Sequence, residues 1–248
     1  MLACELVDDA IEKGCPAHTF VFDRWYLCKT LTDHIESHGR NWIGAVKSNR
    51  IIHYKGKQMS IGNFARSLEE GNLKHVQLKD KEYWALSRVV LVNDLGKVTI
   101  VVAWDNKELK GDPLLLATNS LEWETKRIIK IYGKRWPIET FYRDGKQHLG
   151  LEDCQLRSAK GIERHLYLVF LAYSLLMLDI KRTALGRCIS SLKTIGGGCR
   201  KACCDLIRSL IIWVYDHLRV YRPDTNNDLV KSEIDEIVRT LCGKIAKV

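Results

Sequence analysis

Residues 132–146 read Tyr-Gly-Lys-Arg-Trp-Pro-Ile-Glu-Thr-Phe-Tyr-Arg-Asp-Gly-Lys, and this stretch spaces four polar side chains at helical intervals. The four are Tyr132, Arg135, Glu139 and Lys146, at offsets 0, 3, 7 and 14. On a helix that advances about 100° per residue, these offsets fall within about 60° of one another. A carboxylate flanked by two cations and a phenol suits a site that holds a divalent metal beside a phosphate backbone.

The same stripe is also typical of a solvated amphipathic helix, because a basic face with one glutamate is common on protein surfaces. Pro137 argues against one continuous helix, since proline cannot donate to the carbonyl four residues back. We therefore predict that Pro137 begins a second helix, with Glu139 in its first turn. Tyr132 and Arg135 are then expected on the preceding turn.

The N-terminal part alternates between helical and strand-like patterns. A helix is predicted from Leu2 to Ile11, ending at Lys13-Gly14, and further elements at Thr19–Asp23 (strand), Trp25–His38 (helix) and Asn41–Lys47 (strand). This order indicates crossover connections in an α/β layer. Asp23 ends the first apolar strand, at the edge where open α/β sheets bind ligands. On sequence alone, the pattern favours Asp23 as a cap for the helix that follows.

From Ile51 the pattern changes to short strands separated by turns. A hairpin around Gly56 and a short helix at Ile61–Glu69 precede runs typical of strands at Leu73–Leu78, Tyr83–Val92, Val98–Trp104 and Pro113–Thr118. Residues 51–112 therefore form a predicted β-rich insertion. Its basic side chains are candidates for DNA contact, or equally for keeping an edge strand soluble: Lys74, Lys79, Lys81, Arg88, Lys107 and Lys110.

Helices are expected in the C-terminal part. Ile162–Ile180 reads as a mostly buried helix, and its charges and short apolar run argue against a membrane span. Gly196-Gly-Gly198 is predicted to be a flexible joint, followed by helices at Lys201–Val220 and Leu229–Ile245.

Composition indicates a globular protein, and its positive charge favours a polyanionic partner but is also found in ordinary basic proteins. The 248 residues are 46% hydrophobic and 28% charged, and the net charge is +9 with a pI near 9.1. The nine cysteines follow no disulfide or zinc pattern, and no secretory leader precedes them, so reduced thiols in the cytoplasm are expected.

The stretch Tyr-x2-Arg-x3-Glu-x6-Lys resembles the signature of the DDE transposases of bacterial and archaeal insertion sequences, and all four positions match. The segments 149–153 (Leu-Gly-Leu-Glu-Asp), 157–158 (Arg-Ser) and 161–166 (Gly-Ile-Glu-Arg-His-Leu) also look like that family, as does Phe20–Tyr26. The resemblance covers roughly residues 15–180.

The resemblance implies an α/β fold with a ribonuclease H-like core. The core would consist of residues 1–50 and 113–182, interrupted by the insertion at 51–112 and followed by a helical appendage at 183–248. It also implies two-metal phosphoryl transfer with Mg²⁺ or Mn²⁺, in which Asp23 and Glu139 are metal ligands and catalytic residues. Tyr132, Arg135 and Lys146 would bind DNA, mainly through its phosphates.

The implied partner is double-stranded DNA, both transposon ends and target, in the cytoplasm with the nucleoid. A homodimer or an association with an intact transposase is compatible with the family, and no membrane partner is expected. The family's first acid lies on a strand well before the second, whereas only a predicted helix and a turn precede Asp23. Asp8 and Asp9 follow no apolar strand. We therefore expect a core that lacks its first strands and first acid and is impaired in catalysis.

Three classes of function remain open at this point. The first is a truncated or interrupted transposase, and the second is a non-catalytic DNA-binding protein that regulates an intact transposase. The third is an unrelated basic α/β nuclease. The removal of the first strands would also leave a hydrophobic sheet edge, which predicts a tendency to aggregate.

Overall fold

A computed structural model describes residues 1–79, 81–184, 193–219, 232, 235–237 and 239–240. The chain divides into two compact units, Met1–Pro137 and Ile138–Val248. The first unit contains every strand of the described chain, and the second is built from helices. The mixed α/β class predicted from the sequence is confirmed, whereas the ribonuclease H-like core and the boundaries at 50, 112 and 182 stay predictions.

The first unit begins with a helix–strand–helix–strand segment. The elements are α1 (Leu2–Glu12), β1 (Thr19–Phe22), α2 (Lys29–Ser37) and β2 (Asn41–Ala45). β1 and β2 pair in parallel, with Thr19 opposite Asn41 and Phe22 opposite Gly44. A parallel pair requires a crossover connection, and α2 supplies it. The helix predicted to begin at Trp25 begins at Lys29, four residues later, because residues 24–26 form a turn.

The remaining strands extend the same sheet. They are β3 (Ile51–Tyr54), β4 (Lys57–Ser60), β5 (Lys74–Gln77), β6 (Glu82–Val92), β7 (Gly96–Trp104) and β8 (Leu114–Thr118). The strand order is β1-β2-β8-β7-β6-β3-β4, and β5 pairs with β6. The strands of the predicted insertion thus continue the sheet from β2 through β8. β1 is an edge strand of this sheet.

Two apolar clusters cover the two faces of the sheet. Successive residues of β2 point to opposite faces, so Trp42 enters one cluster and Ile43 the other. Helices α1, α2 and α3 (Ile61–Arg66) contribute to the cluster around Trp42. Helix α4 (Thr125–Tyr132) covers the other face with Ile128 and Ile129, both buried.

The signature stretch divides at the proline, as the sequence predicts. A 3₁₀ turn spans Gly133–Arg135 after α4, and α5 begins at Pro137 and ends at His148. In the second unit, α6 spans Ala159–Ala184 and α7 spans Ile195–Arg219. The helix predicted at Leu229–Ile245 lies largely outside the described residues.

Two expectations about the second unit are wrong. The apolar helix α6 is mostly exposed rather than buried: Val169 is buried, but Leu168 and Leu175 remain 64% and 56% exposed. By length and composition alone, Ala159–Lys181 would suffice to cross a membrane, a test that core helices of globular proteins also pass. The apolar run of α6 is therefore longer than the sequence pattern indicated. An apolar pattern specifies a helix face but not what covers it.

Gly196–Gly198 is not a joint but the first turn of α7. A Cβ atom on Gly196 would lie 2.7 Å from Nε2 of His148, and one on Gly198 would lie 2.7 Å from Cδ2 of Leu176. The glycines therefore let the first turn of α7 pack closely against α5 and α6. Close approach between helices, rather than chain flexibility, accounts for this glycine run.

We predict that Gly44→Ala destabilises the first unit by about 1–3 kcal/mol through overpacking. A Cβ atom at this position in β2 would lie 2.6 Å from the ring of Phe22 and 3.0 Å from Leu27. Thermal unfolding followed by circular dichroism measures the change. Gly71→Ala is the matched control, because a Cβ there meets nothing within 4 Å. Equal melting temperatures for the two variants would contradict the packing described here.

Candidate metal- and DNA-binding site

Asp23 directly follows the last residue of β1, at the carboxyl end of the strand. The backbone N–H of Arg24 donates to Asp23 Oδ1 at 2.6 Å, and the N–H of Tyr26 donates to the Asp23 carbonyl at 3.1 Å. These bonds close a turn. Helix α2 starts later, with Cys28 at its N-cap. The alternative that Asp23 caps this helix is therefore wrong, and its second carboxylate oxygen remains available for another ligand.

Tyr132 and Arg135 lie close to Asp23 in the first unit. The 3₁₀ turn that carries Arg135 lies beside β1. The Arg135 guanidinium lies over the Tyr132 ring, 5.7 Å from its centroid. Burial raises the pKa of the Tyr132 phenol and outweighs Arg135, while Asp23 adds to the rise. The phenol is therefore neutral at physiological pH and can donate a hydrogen bond.

Glu139 and Lys146 lie in the second unit on α5. Glu139 is in the first turn of this helix, where the helix dipole favours a carboxylate. Lys146 is two turns further along the same face and forms an ion pair with Glu152. Both side chains are exposed to solvent. All four signature residues therefore lie on the elements predicted from the sequence: Tyr132 and Arg135 before Pro137, and Glu139 and Lys146 on the helix that begins there. Their roles stay predictions.

Aromatic packing holds α5 against α6. The Phe141 ring is stacked on Phe170 at 5.0 Å and meets Tyr173 edge-on at 4.8 Å. The face of α5 opposite these rings is left for polar residues. Because Phe141 is two residues from Glu139, this packing orients the first turn of α5.

The loop after α5 fixes the other end of that helix. The N–H of Leu151 donates to the Gly145 carbonyl at 3.0 Å, and the Leu151 side chain packs where a Cβ on Gly145 would lie. His165 of α6 forms a 2.8 Å hydrogen bond with the Gly150 carbonyl. Residues 149–153 therefore hold Glu152 where it pairs with Lys146.

An aromatic and basic cluster next to Asp23 was missed by sequence reasoning. Trp25 is 78% exposed and Tyr26 is 54% exposed, on the turn that follows β1. Lys47 lies over the Trp25 ring, with Nζ 4.8 Å from the centroid. Exposed aromatic rings can stack on the bases of single-stranded or distorted DNA, and neighbouring cations bind its phosphates. The sequence feature that could have indicated this cluster is Arg24-Trp25-Tyr26 directly after a strand. The sequence pattern instead predicted that Trp25 begins a helix.

Asp8 and Asp9 lie within α1, as the sequence predicts. Asp9 forms an ion pair with Lys13 at 2.7 Å. Asp8 Oδ1 is bonded by the imidazoles of His34 and His38, and the hydrogen bond from His34 is the main cause of its lowered pKa. Neither acid follows a strand, in contrast to Asp23.

Comparison with known proteins identifies the family of this chain. The family model described as "Transposase DDE domain" matches residues 2–175. This match covers more than half of the chain and includes β1, the whole sheet, the signature stretch and most of α6. No curated protein matches the chain.

We predict that Phe141→Ala loosens α5 and lowers the stability of the second unit by about 2–3 kcal/mol, since the substitution removes the ring contacts with Phe170 and Tyr173 of α6 and a third with Tyr142 within α5. Hydrogen exchange of the α5 amides measures the loss. Tyr142→Ala serves as the control, because Tyr142 is 49% exposed and its removal leaves the Phe141–Phe170 stack in place. Unchanged exchange in Phe141→Ala would show that the stack does not hold α5.

Proposed function

Because this chain belongs to the family of transposases with a DDE domain, we propose that it carries the catalytic region for metal-dependent DNA cleavage and strand transfer. Asp23 and Glu139 are the proposed metal ligands and catalytic residues. The observation that carries the proposal is the position of Asp23. Asp23 follows β1, a half-buried strand, at the carboxyl end of that strand, and the Tyr132–Arg135 pair lies within electrostatic reach.

The chemistry of the two carboxylates fits Mg²⁺ or Mn²⁺. Both ions prefer hard oxygen ligands, and a carboxylate side chain offers two such oxygen atoms. When bound, such ions supply Lewis-acid activation of a water or a 3′-hydroxyl and stabilise the leaving oxygen. The carboxylates of Asp23 and Glu139 would hold the ions in place.

Arg135, Lys146 and Tyr132 are proposed to position the DNA backbone. A guanidinium can bind a phosphate through two parallel hydrogen bonds, whereas an ammonium acts as a point charge. The neutral Tyr132 phenol can donate one more hydrogen bond to a phosphate oxygen. Lys146 would exchange its partner Glu152 for a phosphate when DNA binds. Contacts of this kind hold the strand in register and carry no sequence information.

We expect residues 1–248, tested alone, to be impaired in catalysis. The family mechanism uses three acids, and Asp23 and Glu139 match two of them. Asp8 and Asp9 are the aspartates before Asp23, and both lie on α1 with other partners. The ions would therefore be held less tightly by this polypeptide than by a site with a full set of carboxylates.

A non-catalytic DNA-binding role, such as regulation of an intact transposase, is the second candidate. The net charge of +9 favours it, because charge attraction to DNA does not depend on a complete metal site. Partners are then double-stranded DNA and a second transposase chain, in the cytoplasm with the nucleoid. Metal binding distinguishes the two functions.

We predict that the purified chain binds double-stranded DNA with an affinity that falls steeply with salt. Nicking of supercoiled plasmid with Mg²⁺ or Mn²⁺ is expected to stay close to background. Mn²⁺ binding, measured by electron paramagnetic resonance, is expected to weaken by about tenfold or more in Asp23→Asn and Glu139→Gln. Glu122→Gln, at an exposed position, is the control for the loss of one acid.

DNA affinity in Asp23→Asn and Glu139→Gln is expected to stay equal or rise, since each change removes a negative charge. Strong nicking that Glu139→Gln abolishes would confirm the catalytic residue and show that this chain contains all required ligands. Nicking that survives both substitutions would overturn the assignment. Intact DNA binding with unchanged Mn²⁺ affinity in both variants would favour the regulatory role.

We also predict that Trp25→Ala weakens binding to single-stranded or nicked DNA by about tenfold, the loss of one base stack. Stability should not change, because the ring is 78% exposed. Fluorescence anisotropy with labelled oligonucleotides measures the affinity. Trp25→Phe is the matched control, since it keeps an aromatic face. Equal affinities for Trp25→Ala and the wild-type chain would exclude the ring from the DNA interface.

A further inference from the structure

Three side chains of metal-ligating type converge where α1 lies beside α2. Nε2 of His34 lies 2.8 Å from Asp8 Oδ1, and Nε2 of His38 lies 2.9 Å from the same oxygen. The two imidazole rings meet edge-on, with centroids 5.0 Å apart. One ligand atom from each residue lies within 4.8 Å of the other two. The side chains are 29%, 35% and 40% exposed for His34, His38 and Asp8, so ions in solution can reach them.

The helices bring these residues together for a simple reason. On α2, Ile35 lies four residues after Leu31, and His34 lies three residues after Leu31. His38, the C-cap of α2, lies four residues after His34, so these side chains fall on one side of the helix. Leu31 and Ile35 are buried in the same cluster as Val7 of α1. The histidines therefore lie at the rim of an apolar contact, and Asp8 follows Val7 on the facing helix.

The surroundings attract a cation in spite of the positive net charge of the chain. Helix α1 carries four acids and no lysine or arginine between Leu2 and Glu12: Glu5, Asp8, Asp9 and Glu12. Helix α2 ends at Ser37, so the negative end of its dipole lies at the two histidines. Asp9 is paired with Lys13 and Glu5 with the N-terminal ammonium, so these two acids contribute less than Asp8 and Glu12. The remaining negative charge and the helix dipole lower the free energy of a bound cation relative to solution.

We propose that Asp8, His34 and His38 bind a divalent transition-metal ion of the zinc type. Two imidazole nitrogens and one carboxylate oxygen are a usual three-residue set for Zn²⁺, with the fourth position taken by water. A tetrahedral site separates its ligand atoms by about 3.3 Å, so the present hydrogen-bonded atoms need to move apart by about half an ångström. Rotation of partly exposed side chains supplies this movement.

The site is chemically distinct from the proposed catalytic one. Nitrogen ligands favour Zn²⁺ and related ions, whereas Mg²⁺ prefers oxygen ligands alone. On binding, each neutral imidazole carries its proton on Nδ1 and offers Nε2 to the ion, so the ion replaces the two hydrogen bonds to Asp8. A bound ion would cross-link α1 to α2 and stabilise the cover of the sheet face around Trp42.

The test uses the full chain, reduced and freed of metal with a chelator. Zn²⁺ affinity is measured by competition with a chromogenic chelator, and Co²⁺ serves as a spectroscopic probe. Asp8→Asn, His34→Gln and His38→Gln should each weaken Zn²⁺ binding at this site at least tenfold. His75→Gln is the matched control, because this exposed imidazole pairs with Glu82 outside the cluster.

Co²⁺ separates this site from the cysteines, of which the chain has nine. The proposed site gives ligand-field bands without the thiolate-to-cobalt charge-transfer band that sulfur ligands produce, and these bands should disappear in Asp8→Asn. Asp8→Asn keeps an acceptor for both imidazoles, so its circular dichroism should match that of the wild-type chain. A charge-transfer band alone, no Zn²⁺ binding, or equal affinity in all variants would overturn the proposal. None of these outcomes bears on DNA binding or Mn²⁺ binding.

Discussion

The parallel pairing of β1 with β2 is the constraint on which the first unit depends. β2 lies between β1 and β8 and is buried on both faces, so its register determines where each neighbour ends. The Trp42 indole is fully buried, stacks on Phe22 at 6.1 Å and donates to Glu36 of α2 at 2.7 Å. These contacts fix β1 and its crossover helix together. Asp23 is the residue that follows Phe22, so the core packing sets its position.

Polar side chains connect the start of β2 to the end of β8, on the side of β2 away from β1. Asn119 accepts from the Trp42 backbone N–H at 3.0 Å and donates to the Arg40 carbonyl at 3.2 Å. The buried Thr118 hydroxyl donates to the Trp42 carbonyl at 2.6 Å. Side chains thus satisfy backbone groups at the point where β2 and β8 separate. The backbone groups of Arg40 and Trp42 at this junction are therefore hydrogen-bonded.

Different forces position the two parts of the signature. Tyr132 ends α4 and Arg135 belongs to the 3₁₀ turn that lies beside β1, so the sheet holds this part of the signature. Glu139 and Lys146 belong to α5, which depends on the aromatic stack of Phe141 with Phe170. The proposed chemistry also differs between sites: carboxylates alone suit Mg²⁺, whereas imidazoles beside Asp8 suit Zn²⁺. The net charge of +9 does not distinguish the two proposed metal sites, because the type of ligand atom decides which ion each one binds.

The sequence by itself determined the local elements, the family and the positions of the signature residues. Alternating and helical periods placed β1, β2, the Gly56 hairpin and the start of α5 at Pro137, because these depend on neighbours along the chain. Only the tertiary structure decided which apolar faces are covered, and α6 was wrongly expected to be buried for this reason. It also decided that Gly196–Gly198 serves close packing, and that Asp8 meets His34 and His38, residues more than twenty positions away. Contacts between distant residues depend on how helices pack on the sheet, and no local period encodes them.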